Sequence, residues 1–174
     1  MSQLRISGIV RESVVDGPGI RFVVFTQGCP HHCPGCHNPG THSFDGGKLV
    51  ETSRILEEIQ KNPLLKGVTL SGGEPFCQPG PLAELAEEVH ARGLDVMTYS
   101  GYTLEQLLEK AKEDPETDAL LHQTDVLVDG RFIEAEKSLL LKFRGSKNQR
   151  LLDVKRSLES GTPVEVCWAQ KEEH

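Results

Sequence analysis

Three of the five cysteines lie within residues 29–36, in the segment Cys29-Pro-His-His-Cys33-Pro-Gly-Cys36. Spacings of four and three residues are too short for a disulfide framework. Three thiolates from one loop could instead ligate three irons of a 4Fe-4S cluster. The fourth iron would have no cysteine and could bind another molecule, whereas electron-transfer clusters are usually closed by a fourth Cys. The segment therefore predicts a metal centre with Cys29, Cys33 and Cys36 as ligands.

Other occupants of this segment remain open. Structural zinc accepts three Cys and one His, and three histidines lie close to the cysteines: His31, His32 and His37. The segment 33–37 also matches the covalent haem-attachment pattern, although that chemistry usually belongs to exported proteins. Cys33 and Cys36 could form a redox dithiol, but such a pair normally begins a helix, and the proline and glycine that follow disfavour one.

The remaining cysteines, Cys77 and Cys167, are isolated in the sequence. Lone cysteines are most often buried and inert, which is the prediction for both. A redox or ligand role for Cys77 is kept as an alternative because it would lie near the cysteine segment. The histidines outside that segment are predicted to be surface or core residues: His42, His90, His122 and His174.

Hydrophobic patterns place the cysteine segment directly after a strand. Residues 21–27 (RFVVFTQ) are β-branched and aromatic and stop at a glycine. Further strands are predicted at 68–70, 94–99 and 126–128. Amphipathic helices are predicted at about 52–61, at 80–93, and after Thr103, which has capping-box spacing to Gln106.

This alternation of strands and helices predicts an α/β fold with a parallel sheet. A full eight-unit barrel needs about 200 residues or more, so the 174-residue chain predicts an incomplete βα barrel. In such sheets ligands bind at the carboxyl ends of the strands. Four predicted strand ends meet there: Cys29, Gly72-Gly73-Glu74, Ser100-Gly101 and Asp129-Gly130.

The composition is that of an ordinary globular protein, with 37% hydrophobic and 26% charged residues. The length predicts a single domain over residues 1–174. No apolar run approaches the roughly 20 residues of a membrane helix, and the N-terminus has no secretory-signal pattern, so a cytoplasmic location without membrane contact is expected. The net charge of −7 argues against a general nucleic-acid binder.

Several motifs together resemble a known family. Cys-x3-Cys-x2-Cys followed by Ser71-Gly-Gly-Glu-Pro75 resembles the radical S-adenosylmethionine (SAM) superfamily, and Asp16-Gly-Pro-Gly-Ile-Arg21 narrows the likeness to the activases of glycyl-radical enzymes. Most superfamily members have an aromatic residue where this chain has Gly35. That glycine resembles the activating proteins of the anaerobic (class III) ribonucleoside-triphosphate reductases, as do residues 100–103, 125–130 and 143–150.

The likeness runs from about residue 5 to about residue 155. No recognised motif covers the C-terminal extension, residues 156–174, which includes Trp168. Within the matched part, the resemblance implies a 4Fe-4S cluster on the three cysteines, with SAM bound to its open iron through the amino and carboxylate groups. An electron from the reduced cluster would cleave SAM to a 5'-deoxyadenosyl radical, which would take a hydrogen atom from a backbone glycine of the reductase.

The resemblance also implies roles for individual residues. Gly35 and His37, on either side of Cys36, would lie beside the adenine of SAM. Gly72 and Gly73 would let the backbone approach the methionine end, and Glu74 would accept a hydrogen bond from its ammonium group. Asp129 would orient SAM or a cation; the alternative is that it caps a helix. The polar segment 143–150 would bind SAM, form a partner surface, or be a solvated loop.

The resemblance also implies partner proteins, and it leaves alternative functions open. The expected partners are the anaerobic reductase and, as electron donor, reduced flavodoxin or ferredoxin. Other radical-SAM functions stay open, namely activation of a different glycyl-radical enzyme or chemistry on a small molecule, as in the deazapurine-forming synthases. From another class, the chain could be a non-enzymatic iron–sulfur or zinc-binding module.

Overall fold

The structure is a computed structural model that describes residues 2–31, 33, 39–138, 140–141 and 143–167. Its strands are β1 (Gln3–Ser13), β2 (Arg21–Thr26), β3 (Lys48–Glu51), β4 (Gly67–Gly72), β5 (Asp95–Tyr99), β6 (Val126–Asp129) and β7 (Arg150–Asp153). Its α-helices are α1 (Thr52–Gln60), α2 (Pro79–Ala91), α3 (Leu104–Glu113), α4 (Pro115–Gln123) and α5 (Val154–Ser160).

The strands form one sheet in the order β3-β1-β2-β4-β5-β6-β7. Its centre is parallel, with β2 beside β4, β4 beside β5 and β5 beside β6. Antiparallel strands complete both sides, because β1 pairs with β2 and β3, and β7 pairs with β6. This arrangement confirms the predicted α/β class with a parallel-rich sheet. The sheet ends at two edge strands, β3 and β7, as an incomplete barrel requires.

The predicted elements are confirmed, and others were not predicted. The three expected helices correspond to α1, α2 and α3, and α3 begins with the capping box expected of Thr103 and Gln106. The elements absent from the sequence-based prediction are β1, β3, β7, α4 and α5. Of these, β3 and β7 are four residues long, too short for a clear hydrophobic period.

The helices cover one face of the sheet and form the main hydrophobic core there. Strand residues such as Phe22, Val68 and Val96 pack in this core against helix residues such as Leu85 and Leu120. A smaller cluster on other strand positions contains Met97, Val128, Leu151 and Val166, with Phe143 packed against it. Within the described residues, none of the helices is long and apolar enough to cross a membrane.

A buried arginine ties the segment before β2 to the sheet. The Arg21 side chain is fully buried and donates to the Thr69 hydroxyl at 2.7 Å, to the Val68 carbonyl at 3.1 Å and to Asp95 at 2.5 Å. It also donates to the carbonyl of Pro18 at 3.1 Å. Because a buried guanidinium needs its donors satisfied, these bonds fix the loop before β2 against β4 and the first residue of β5.

Candidate functional site

A cavity of about 360 Å³ opens at the carboxyl ends of the parallel strands. Residues that follow four different strands line it, which is the convergence expected from the strand order. They include the residues Cys29, Cys33, Gly72, Gly73, Ser100, Gly101 and Gly130. The structure therefore brings two of the three predicted cysteine ligands to the same cavity as the glycine turn after β4.

The cysteine loop begins buried and leads into the cavity. Cys29 is 8% exposed, and its backbone N–H donates to the His42 carbonyl at 3.1 Å. Cys33 is partly buried. Thiolates are the ligands that iron–sulfur clusters use, so the two thiols on one cavity wall fit such a group. The third predicted ligand, Cys36, and the predicted adenine contacts, Gly35 and His37, lie outside the described residues.

The two glycines after β4 are required by close packing of the strand ends. A Cβ on Gly73 would collide with the carbonyl oxygen of Gly28, and one on Gly72 would collide with the backbone of Thr26. Gly72 also has a φ of +98°, which side-chain-bearing residues rarely adopt. The Gly73 N–H donates to the Thr26 carbonyl at 2.8 Å. Both glycines nevertheless line the cavity, as their predicted contact with SAM requires.

Glu74 is a fully buried carboxylate that protein donors already saturate. Its Oε1 accepts from Gly101 N–H at 2.7 Å and lies 2.6 Å from His31 Nε2, while Oε2 accepts from Phe76 N–H at 3.0 Å and from the Ser100 hydroxyl at 2.9 Å. An ionised carboxylate has about four lone-pair sites, and all are used. The predicted hydrogen bond from the SAM ammonium would need one of these donors to leave.

His31 is the site residue that the sequence suggested only as a zinc ligand. Its side chain is 4% exposed, and its ring meets Tyr102 edge to face at a centroid distance of 4.6 Å. Among the described residues its Nδ1 is buried without a hydrogen-bond partner. The one signal in the sequence is its position midway between Cys29 and Cys33.

Cys77 lies beyond the glycine turn, at the end of the short 3₁₀ helix Pro75–Cys77. Cys77 and Cys167 are both exposed, so the prediction that they are buried is wrong: each lies at the end of a short segment that leaves the core. Desolvation, followed by the negative charges of Glu74 and Cys29, raises the pKa of its thiol to about 11. The thiol is therefore protonated at neutral pH, and a thiolate is the form that binds metal. This state is consistent with the prediction that Cys77 is not a ligand.

Asp129 is held by contacts that belong to a helix cap and an ion pair. The residue is 1% exposed and accepts from the Leu104 N–H, the first of α3, at 2.8 Å. Arg150 donates to its two oxygens at 3.0 and 2.5 Å and also to Glu105 at 2.6 Å. These contacts match the helix-cap alternative. The role of Asp129 in orienting SAM or a cation stays a prediction.

The polar segment 143–150 forms a wall of the cavity, and Phe143, Arg144, Gly145 and Gln149 line it. Gln149 accepts from the Gly145 and Ser146 N–H groups at 2.8 and 3.1 Å and donates to the Gly130 carbonyl at 3.0 Å. These bonds fasten the segment to the residues that follow β6. A solvated loop, the least specific of the predicted alternatives, does not describe it.

Comparison with known proteins places the chain in a family. Residues 15–152 match the family described as a 4Fe-4S single cluster domain. Proteins named anaerobic ribonucleoside-triphosphate reductase-activating protein are 36% identical in Vibrio cholerae and 33% identical in Escherichia coli K12. Each alignment covers 78% of this chain, and it covers 89% of the Vibrio protein and 90% of the Escherichia protein.

The same name belongs to a protein of Enterobacteria phage T4 that is 34% identical, over 79% of this chain and 86% of its own. A crystal structure of QueE from Escherichia coli gives a TM-score of 0.47 at 18% identity, over 58% of this chain and 53% of that one, a likeness too weak to bear on the assignment. The sequence matches identify the cofactor class as an iron–sulfur cluster, in place of zinc or haem. The chain belongs to the family of anaerobic ribonucleoside-triphosphate reductase-activating proteins.

Proposed function

We propose that this chain generates a glycyl radical on an anaerobic ribonucleoside-triphosphate reductase by reductive cleavage of SAM at a 4Fe-4S cluster. One observation carries the proposal: Cys29 and Cys33 meet the glycine turn after β4 in a single strand-end cavity. This cavity belongs to the region that matches a 4Fe-4S domain, and the relatives over that region bear the name of reductase-activating proteins.

In this proposal the cluster is held by Cys29, Cys33 and Cys36, which leaves one iron open for SAM. The backbone of Gly72 and Gly73 lies against the methionine end of SAM, and SAM approaches closely there because neither glycine has a Cβ. The other predicted contacts are Gly35 and His37 with the adenine, Glu74 with the ammonium group, and Asp129 with SAM or a cation. When bound, the cluster and SAM supply the electron and the 5'-deoxyadenosyl radical.

The remaining cavity walls fit the needs of radical chemistry. Aromatic and apolar side chains line one side, namely Tyr99, Phe132, Leu141 and Phe143. Such a wall limits water near a reactive intermediate and prevents side reactions. Arg131 and Arg144 also line the cavity, and their positive charge favours a ligand that carries a carboxylate, as SAM does.

The wider assignment rests on the chain length, the N-terminal pattern and the same resemblance. The chain acts as one domain, residues 1–174, with the catalytic part in about residues 5–155 and an extension beyond them. Its electron comes from a reduced flavodoxin or ferredoxin, and its location is cytoplasmic.

The test is anaerobic reconstitution with iron and sulfide, followed by dithionite and SAM. The cluster-loaded protein is expected to release 5'-deoxyadenosine and, on incubation with the reductase, to produce a glycyl-radical doublet in the electron paramagnetic resonance spectrum. Repeated absence of 5'-deoxyadenosine from loaded preparations contradicts the proposal. A doublet on another glycyl-radical protein, without one on the reductase, assigns a different partner.

A further inference from the structure

The loop of residues 131–149, which connects β6 to β7, is basic in an acidic chain. It contains five basic and two acidic residues, whereas the whole chain has a net charge of −7. Arg131, Lys137 and Lys147 are exposed. Within the described part of the chain, none of these three cations forms an ion pair. Their charge is therefore available to a partner with negative groups.

Backbone contacts hold the 131–149 loop in one position. Asn148 donates to the carbonyl of Arg131 at 2.8 Å. Further out, an antiparallel bridge pairs Lys137 with Ser146, the residue before Lys147. The two lysines therefore lie on neighbouring backbone segments that are fastened at their base. A surface that is fixed before binding loses less conformational entropy when a partner binds to it.

Large apolar side chains are exposed beside the same cavity. Leu140, between the two sides of the loop, is 90% exposed, and Leu141 lines the cavity. On a second loop, Val14 and Val15 are 70% and 73% exposed, and Val15 also lines the cavity. Residues such as Val15 and Arg131, which are exposed and still line the cavity, stand at its mouth. Exposed apolar side chains that lie together mark an interaction site.

The position of this surface indicates the kind of partner. A group that gives a hydrogen atom to a radical in the cavity has to come into contact with it and must pass the residues at the mouth. An electron donor has no need to enter. Apolar and basic side chains at the mouth fit a protein segment with apolar and acidic side chains, because complementary charge fixes the register of such a segment.

We propose that the 131–149 loop and Val15 form the docking surface for a glycine-bearing segment of the reductase whose neighbouring side chains are acidic and apolar. Lys137 and Lys147 attract the acidic side chains, and Leu140 packs against the apolar ones. The backbone between them enters the cavity. This inference rests on the proposed function, because it takes a glycine of the reductase as the site of hydrogen abstraction.

Reversal of the two lysine charges tests the electrostatic part. The variant is Lys137→Glu combined with Lys147→Glu, and neither side chain lines the cavity. Its matched control is Arg54→Glu combined with Lys155→Glu, which changes the net charge equally at exposed positions in the first turns of α1 and α5. A negative charge is favourable at a helix N-terminus, so the control should fold. Binding of the cluster-loaded protein to the full-length reductase is measured by anaerobic titration calorimetry.

The lysine variant is expected to bind the reductase about tenfold more weakly at about 50 mM salt and to lose most of this difference at about 500 mM, because salt screens exposed charges. The control pair is expected to stay within about twofold of the unchanged protein at either concentration. Equal weakening in the two variants, or none in the lysine variant at low salt, overturns the proposal.

Removal of the exposed leucine tests the apolar part. Leu140→Ser is expected to weaken binding of the reductase about tenfold at both salt concentrations, since burial of a leucine side chain does not depend on charge. Leu64→Ser is the matched control, because Leu64 is 71% exposed and does not line the cavity. A Leu140→Ser affinity within about twofold of the unchanged protein contradicts the proposal.

Two further measurements distinguish other occupants of this surface. With dithionite as reductant and no donor protein, the variants at Lys137, Lys147 and Leu140 should release 5'-deoxyadenosine normally when the reductase is absent. They should form the glycyl radical slowly at low reductase concentration. If only activity with a donor protein falls, the surface binds the electron donor. If the variants change the sedimentation of the activase alone, it binds a second copy. Either result overturns the proposal.

The unchanged protein separates failure of this inference from failure of the proposed function. If it forms the glycyl radical on the reductase and the docking variants do so equally well at low reductase concentration, only the docking surface is wrong. If the loaded unchanged protein forms no radical on the reductase, both the proposed function and the docking surface are overturned.

Discussion

Two histidine–carboxylate pairs in this protein have nearly the same bond length and different surroundings. His31 Nε2 lies 2.6 Å from Glu74 Oε1, and the two side chains are 4% and 0% exposed. His90 Nε2 lies 2.7 Å from Asp125 Oδ2, and the two side chains are 31% and 49% exposed. In the second pair both ring nitrogens are bonded, because His90 Nδ1 also lies 2.8 Å from the amide oxygen of Gln123.

The comparison shows how a scaffold contact differs from a site contact of the same chemistry. The His90 pair joins the end of α2 to the start of β6, and its polar atoms have protein partners or face solvent. The His31 pair is enclosed, and Nδ1 of its ring is buried without a partner among the described residues. The two pairs therefore differ in their burial and in the partners of the second ring nitrogen, and not in the length of the bond.

The largest difference between the two regions is expected on removal of a cluster ligand beside His31. Cys29→Ala should abolish both cluster binding and SAM cleavage, because a thiolate ligand is lost. Iron and sulfide content and 5'-deoxyadenosine release are the measurements. Cys77→Ala is the control and should change neither, since the raised pKa keeps that thiol protonated. The reverse pattern would contradict the ligand assignment.

The two carboxylates should differ strongly in their contribution to stability. Glu74→Ala leaves buried donors on Ser100, Gly101 and Phe76 without their acceptor and is expected to lower the free energy of unfolding by about 3 kcal/mol. Asp125→Ala, at a half-exposed position, removes the acceptor of His90 and of the Val96 N–H and is expected to cost about 1 to 1.5 kcal/mol. Urea unfolding of anaerobic preparations with equal cluster content measures both values. Equal costs would remove the distinction between the pairs.

A smaller effect is expected from displacement of the His31 ring without alteration of either member of the pair. Gly101→Ala places a methyl group against the imidazole, so the ring must shift from its place beside Glu74. The free energy of unfolding is expected to fall by about 1.5 kcal/mol, as for one lost hydrogen bond to a charged group. Gly8→Ala is the matched control because a Cβ there meets nothing within 4 Å. An unchanged free energy of unfolding in Gly101→Ala would show that the ring orientation does not matter to stability.

The smallest effect concerns pH and the exposed pair. Desolvation lowers the pKa of His90, but hydrogen bonds to Asp125 and Gln123 outweigh it and raise the pKa above the ordinary 6.5. The stabilisation is therefore fully present below about pH 6.5 and is lost as the pH rises through the raised value. The difference in unfolding free energy between the unchanged protein and His90→Gln, about 1 kcal/mol or less at about pH 6, should shrink by about pH 9. A difference that grows with pH contradicts this assignment.

Much of the fold could be predicted because the signals are local. The apolar stripe of α2 and the capping box of α3 lie within single segments, and both are confirmed. The antiparallel strands β1 and β7 were not predicted, because β7 has only four residues and the apolar alternation of β1 is broken by register shifts after Ile6 and after Val10. The place of β3 also depends on a distant partner, because it pairs with β1 across the whole cysteine loop.

The sequence by itself determined the cysteine spacing, the glycine turn and their position at strand ends, since covalent spacing and hydrophobic period are properties of short segments. Only the tertiary structure decided which polar groups are hydrogen-bonded to other protein groups and which residues line the cavity. Glu74 meets its histidine across 43 residues, and Asp129 meets Arg150 across 21. A buried carboxylate is hydrogen-bonded by the donors that the fold places around it. Those donors lie on loops that are distant in sequence, so no local pattern predicts that they will meet.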